Sequence, residues 1–194
     1  MNKRSLQRRQ LRQHLRQQIS STYLQWASQQ ACQCLLTSNL FIQAQYIACY
    51  WPMSREANCQ PIIDACHQYH KQCYLPVINP HKPRDMHFRL YEPHTPLISN
   101  SLGILEPAEG SSTIAVSQLD LVITPLLGFD LKGYRLGQGG GYYDTAFAHK
   151  QQGRKPYLCG LALALQQVND TQPEDWDVAL DYIATEQGLL TTSD

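Results

Sequence analysis

No stretch of this 194-residue chain stays apolar for the ~20 residues that a membrane-spanning helix needs, and its polar start lacks the apolar core of a secretory signal. The expectation is a cytoplasmic protein with no membrane partner. Net charge is missing too. Sixteen basic residues balance sixteen acidic ones, so no field of either sign argues for nucleic acid as a partner or for a solvating tail. No repeat and no low-complexity linker interrupts the chain. One domain over residues 1–194 is expected, long enough to bury a core and monomeric.

Chemical signatures are equally scarce. The seven histidines show no ligand spacing, and Ser99, Ser101 and Cys159 lack an identifiable base, so covalent catalysis is not the reading. The seven cysteines are odd in number and scattered. Cys32 and Cys34 stand too close for a zinc knuckle, while Cys49, Cys59, Cys66, Cys73 and Cys159 fall in apolar surroundings, which suits free thiols acting as small core residues. Neither familiar phosphate fingerprint is complete. No Gly-Lys-Ser/Thr closes a P-loop, and Gly137 to Tyr142 lacks the last glycine of G-x-G-x-x-G.

What is present gathers between Leu121 and Asp144. Leu121-Val122-Ile123-Thr124 reads as a buried strand stopped by Pro125. Gly133, Gly137, Gly139, Gly140 and Gly141 then crowd into nine residues around Arg135. Such a density lets backbone N–H groups approach a ligand and adopt positive φ, the geometry of an anion-binding nest. A helix expected from Tyr142 to Lys150 would place a phosphate at its start. A flexible surface loop is the plainer alternative, but it has little use for Arg135, Tyr142, Tyr143 and Asp144 together.

Around this stretch the chain alternates. Leucines and alanines at helical spacing predict two helices between Lys3 and Ser38 with a break near Ser20-Ser21-Thr22. Tyr46–Tyr50, Tyr74–Ile78, Tyr157–Leu163 and a short run within Asp181–Glu186 read as strands, with a helix carrying Ile62, Ile63, Cys66 and Tyr69 between the first two. Met86–Tyr91 suits an edge strand, and Leu102–Pro107 a turn leading back to the sheet. The sum is an α/β three-layer sandwich, a mostly parallel sheet with helices on both faces, whose ligands sit beyond the carboxyl ends of strands. Arg8, Arg9, Arg12 and Arg16 make the first helix basic, which usually marks a solvated face.

Pro125-Leu126-Leu127-Gly128-Phe129-Asp130, followed by Gly133-Tyr134-Arg135-Leu136-Gly137-Gln138-Gly139-Gly140-Gly141-Tyr142-Tyr143-Asp144, closely resembles the signature of the 5-formyltetrahydrofolate cyclo-ligase (methenyltetrahydrofolate synthetase) family. Weaker matches extend over most of the chain: Lys3-Arg4, the strand leading to Trp51 and Glu56, Gly103–Pro107, and Asp177 with Asp181. The resemblance implies a single α/β domain that uses ATP and magnesium to convert 5-formyltetrahydrofolate to 5,10-methenyltetrahydrofolate. It implies that Lys3, Arg4, Arg135 and the loop from Leu136 and Gly137 to Tyr143 touch ATP, with Arg135 and Lys3 serving catalysis. Asp144 and Asp177 would hold magnesium, and Trp51, Glu56 and Gln138 to Tyr142 would contact folate.

Each of these residues also has a plainer account. Asp144 suits a first-turn helix carboxylate, Asp177 a surface turn, Glu56 a helix start, and Phe88, an aromatic that could stack on a pterin, the core. Lys132 is a further candidate cation. Two departures from the family pattern stand out: Gln7 where an arginine is common, with Arg8 beside it, and Gln138 and Gly140 where some members carry basic residues. Rival readings are a sugar-phosphate isomerase or CoA-transferase-like enzyme, an RNA-binding module built on the basic helix, and a folate binder without catalysis.

Overall fold

The computed structural model describes residues 3–192. Helix α1 (Lys3–Gln18) is followed by α2 (Ser21–Leu36), and the Ser20 hydroxyl between them accepts the Tyr23 N–H as the expected N-cap. A short helix that the sequence pattern does not announce, α3 (Asn39–Gln43), is capped in the same way by Ser38. Strand β1 (Tyr46–Ala48) leads through α4 (Gln60–Gln68), with Pro61 in its first turn, to β2 (Gln72–Ile78).

There follow β3 (Met86–Leu90), β4 (Leu97–Ser99), β5 (Leu105–Pro107), β6 (Thr113–Ile114), β7 (Leu121–Thr124), β8 (Gly128–Phe129) and β9 (Arg135–Leu136). Helix α5 (Tyr142–Ala146), β10 (Tyr157–Leu161), β11 (Tyr182–Thr185) and β12 (Gly188–Thr191) complete the chain.

Eight strands form one sheet in the order β12-β11-β10-β7-β1-β2-β3-β6, parallel from β11 to β2 and antiparallel at both margins. Period-two alternation divides it into two faces. Ile47, Cys73, Leu75, Leu121 and Ile123 point to one side, where Ala27, Ala31 and Leu35 of α2 and Ile62 and Ile63 of α4 cover them. Ala48, Tyr74, Phe88, Val122 and Leu158 point to the other, packed against Phe129, Phe147 and Leu180. The second layer is therefore mostly the β8–β9 ribbon and α5. Helix α1 stands apart on a small cluster of its own, Leu11 and Leu15 against Leu127 and Leu136.

Three local expectations are corrected. The Met86–Tyr91 strand is not at the margin, because β6 pairs outside it. The segment Leu102–Pro107 yields β5, which pairs with β4 in a separate two-stranded ribbon. The helix at Tyr142 ends at Ala146 rather than Lys150. Three turn residues follow, and the Lys150 ammonium beyond them reaches buried Asp181 at 2.8 Å. Pro76 sits inside β2 because β1 has already ended: the last β1–β2 pair is Ala48 with Tyr74. Among the described residues no helix is long and apolar enough to cross a membrane.

Candidate active site

From β1 the connection runs to one side of the sheet, through α4 to β2, and from β7 it runs to the other, through α5 to β10. Beyond the carboxyl ends of β1 and β7 the connections diverge, the place where open α/β sheets leave a crevice. A cleft of about 1670 Å³ opens there, with Trp51, Pro76 and Leu126 on its floor and the glycine loop and α1 on its walls.

The loop is shaped from both ends. Asp130, 1% exposed, accepts the N–H groups of Lys132, Tyr134 and Thr171 and the Thr171 hydroxyl, which fixes the turn leading into β9. Gly133 in that turn has φ +87°, and a Cβ there would meet the Leu180 carbonyl oxygen at 2.8 Å. Gly139 and Gly141 also have positive φ, and Gly141 is the N-cap of α5. Gly137 faces open space. Two arginines of α1 hold the loop from above: Arg8 Nε donates to the Gly137 carbonyl at 2.9 Å, and Arg12 donates to Gln138 Oε1 at 2.9 Å. Helix α1 thus serves as a clamp rather than a solvated face.

Charge is concentrated in two pairs. Arg135, 6% exposed, donates to Asp144 Oδ1 and to the Val178 carbonyl, both at 2.9 Å, and lies over the Tyr143 ring. Arg4 meets Asp177 at 2.7 Å, with both side chains nearly buried. Two buried donors in this region, Arg4 Nε and the Tyr143 hydroxyl, have no hydrogen-bond partner among the described residues. Unpartnered buried polar atoms are rare and costly, so these two mark a place shaped for an acceptor. Desolvation, reinforced by Arg4 and Arg12, also lowers the pKa of the Arg8 guanidinium; an anion in the cleft would offset both.

Residues 1–186 match the 5-formyltetrahydrofolate cyclo-ligase family. The chain belongs to that family. Relatives named 5-formyltetrahydrofolate cyclo-ligase include one from Haemophilus influenzae, 38% identical over 140 residues that cover 71% of this chain and 74% of the relative. Another, from Escherichia coli K12, is 33% identical over 171 residues, covering 88% and 93%. Among solved structures, Aquifex aeolicus 5,10-methenyltetrahydrofolate synthetase superposes with a TM-score of 0.83 at 26% identity, over 98% of this chain and 93% of that one.

In this cyclo-ligase family member, Arg4, Trp51, Glu56, Arg135, Gly137 to Tyr143, Asp144 and Asp177 all line the one cleft. Two residues grouped with them do not. Lys3 is exposed at the start of α1, and Leu136 is fully buried beneath that helix, so its side chain supports the loop from behind. Phe88 is fully buried against Phe147, as core, and Lys132 is exposed. Toward the apolar end, Trp51 meets Tyr91 edge to face and buried Glu56 accepts the Met53 N–H. Burial raises the Glu56 pKa above its ordinary value, opposed by the Met53 N–H and by Gln138. Sequence reasoning missed the grip of Arg8 and Arg12, the anchor at Asp130, and Arg84, whose side chain lies against Gly141. The signals for the arginines were their spacing of four along α1 and, for Arg8, its place beside Gln7, where the family commonly has an arginine.

Proposed function

We infer that the cleft consumes ATP to cyclise 5-formyltetrahydrofolate to 5,10-methenyltetrahydrofolate, with release of ADP and phosphate. The observation that carries this reading is a single cleft of about 1670 Å³ with a cation-rich glycine loop at one end and an aromatic wall at the other. Pockets for one small ligand span ~300–1,000 Å³, so this one suits two.

The formyl oxygen is a poor leaving group. Its attack on the terminal phosphorus of ATP, with ADP departing, turns it into a phosphate ester. The nearby nitrogen then attacks the formyl carbon, the C–O bond breaks, phosphate leaves, and that nitrogen loses its proton. The protein's part is to position the two reactants and to spread the charge of the transferred group. Arg135, Arg4 and the backbone N–H groups of Gly137 to Gly141 take the phosphate oxygens, and Lys3, exposed outside the cleft on the first turn of α1, would have to swing in to join them. With α5 only five residues long, side-chain cations and loop N–H groups outweigh its dipole. Trp51, Glu56, Gln138 and Tyr142 hold the folate.

Asp144 and Asp177 offer the hard oxygens that magnesium prefers, since Asp144 Oδ2 and Asp177 Oδ1 accept no hydrogen bond from the described residues. The ion would neutralise phosphate charge there. An assay of the purified protein with 5-formyltetrahydrofolate and magnesium, following methenyl absorbance with and without ATP, tests the reading. No ATP-dependent rise overturns it, and turnover without ATP would point to an isomerase-type enzyme instead.

A further inference from the structure

On the helix-covered face of the sheet, three cysteines from three elements come together. Cys49 follows β1, Cys66 lies in α4 and Cys73 in β2, separated by sixteen and six residues, so no sequence spacing announces them. All three are buried, and their Sγ atoms lie within 4.8 Å of one another. The backbone holds two of them in place: Cys73 pairs with Ile47 across β1 and β2, and the Cys49 N–H donates to the Tyr74 carbonyl at 2.8 Å. Helix α4, anchored by Ile62 and Ile63, lowers Cys66 onto that pair.

A core needs no such grouping, because alanine or valine would fill the space without three polarisable donors in contact. Hydrogen bonds from Cys49 and then from Cys73 hold the Cys66 thiol below its ordinary pKa, against the opposing effect of burial, and His67 and Lys71 add to the lowering.

We propose that Cys49, Cys66 and Cys73 form a three-coordinate site for copper(I). Soft thiolates select this ion. Structural zinc takes four ligands, iron–sulfur clusters take four thiolates, and magnesium or calcium take oxygen. Among the described residues no histidine, carboxylate or fourth cysteine joins the group. Binding replaces up to three S–H protons, which leave to solvent, and copper stays in the +1 state throughout. The bound ion would tie the end of α4 to β1 and β2, the strands that carry Trp51 and Pro76 to the cleft.

The test titrates the full chain, reduced and anaerobic, with copper(I) delivered from a chromogenic chelator, reading metal transfer and thiolate-to-copper ultraviolet absorption. The expected result is one copper(I) per chain and a raised melting temperature. Outer-sphere changes alone cost metal sites ~10–100-fold in affinity, so Cys66→Ala and Cys73→Ala should each weaken binding by about 100-fold or more. Cys34→Ser, outside the cluster, should leave it unchanged. Circular dichroism checks that each variant is folded, and two separate cysteine variants keep the test open if one is not. The proposal is overturned if the folded protein takes up no copper(I), if uptake survives Cys66→Ala, if zinc binds more tightly, or if uptake accompanies loss of native structure.

Discussion

Replacing Arg135 by alanine isolates the group on which the proposed chemistry depends most. Its guanidinium makes two hydrogen bonds of 2.9 Å, to Asp144 and to the Val178 carbonyl, and is fixed over the Tyr143 ring before any ligand arrives. Removing one preorganised donor from a developing charge costs ~10²–10³-fold in rate, or ~2.7–4 kcal/mol. A loss of that size in kcat/KM is expected for Arg135→Ala. Stability should fall as well. A broken buried ion pair costs ~3–5 kcal/mol, but the Asp144 side chain is 22% exposed and can take up water, so about 2 kcal/mol is expected. At ~2–4 °C per kcal/mol for a chain of this size, the melting point should drop by about 4–8 °C. Arg135→Lys keeps the charge but loses the planar fork, and its activity should fall between wild type and alanine. The measurement is the methenyl absorbance assay run well below the variant's melting point, with calorimetry alongside. Activity of Arg135→Ala within about fivefold of wild type would refute the assigned role, since losing a single preorganised donor costs at least ~100-fold.

Further outcomes follow from other residues. Gly133→Ala places a Cβ 2.8 Å from both the Leu180 oxygen and the Thr192 side chain at positive φ, and should cost about 2 kcal/mol or more in thermal or denaturant unfolding. Gly137→Ala meets nothing within 4 Å among the described residues, so it should leave stability unchanged while raising the KM for ATP. Burial raises the Glu56 pKa above its ordinary 4.5, so its contribution to stability is present in full below the unfolded pKa and is lost as pH rises through the folded one. Glu56→Gln should therefore gain melting temperature relative to wild type as the pH climbs from about 4 to about 7, and a flat or falling difference would contradict the assignment. Asp144→Asn should shift the magnesium concentration for half-maximal activity upward by about tenfold or more, measured by titrating the metal back after chelation.

The parallel core was legible because its strands advertise themselves. Leu121-Val122-Ile123 and Ile47-Ala48 are buried on both faces and read as unbroken apolar runs, and Ser20 marked the helix break by its capping chemistry. The two-residue strands β6, β8 and β9 were invisible, since their pairing is imposed by neighbours and not by their own pattern. The glycine loop announced itself by composition. What could not be read was which distant groups would meet it: the bond from Arg8 to Gly137 joins residues 129 positions apart, and a basic helix face looks the same in sequence whether it meets water or a carbonyl. The three clustered cysteines were hidden for the same reason.

Helix α1 illustrates how unevenly attachment and duty are shared in this molecule. Arg4, Arg8, Arg12 and Arg16 all face the cleft from it, yet its apolar footing is a four-leucine patch separate from both large cores. The element that lines the cleft with four arginines therefore rests on a small apolar footing and is held largely by its polar contacts. A polyanion settling against it would act as mortar, so occupancy of the cleft should slow amide exchange in α1 more than in β7, making the first sixteen helical residues a reporter of whether the enzyme is loaded.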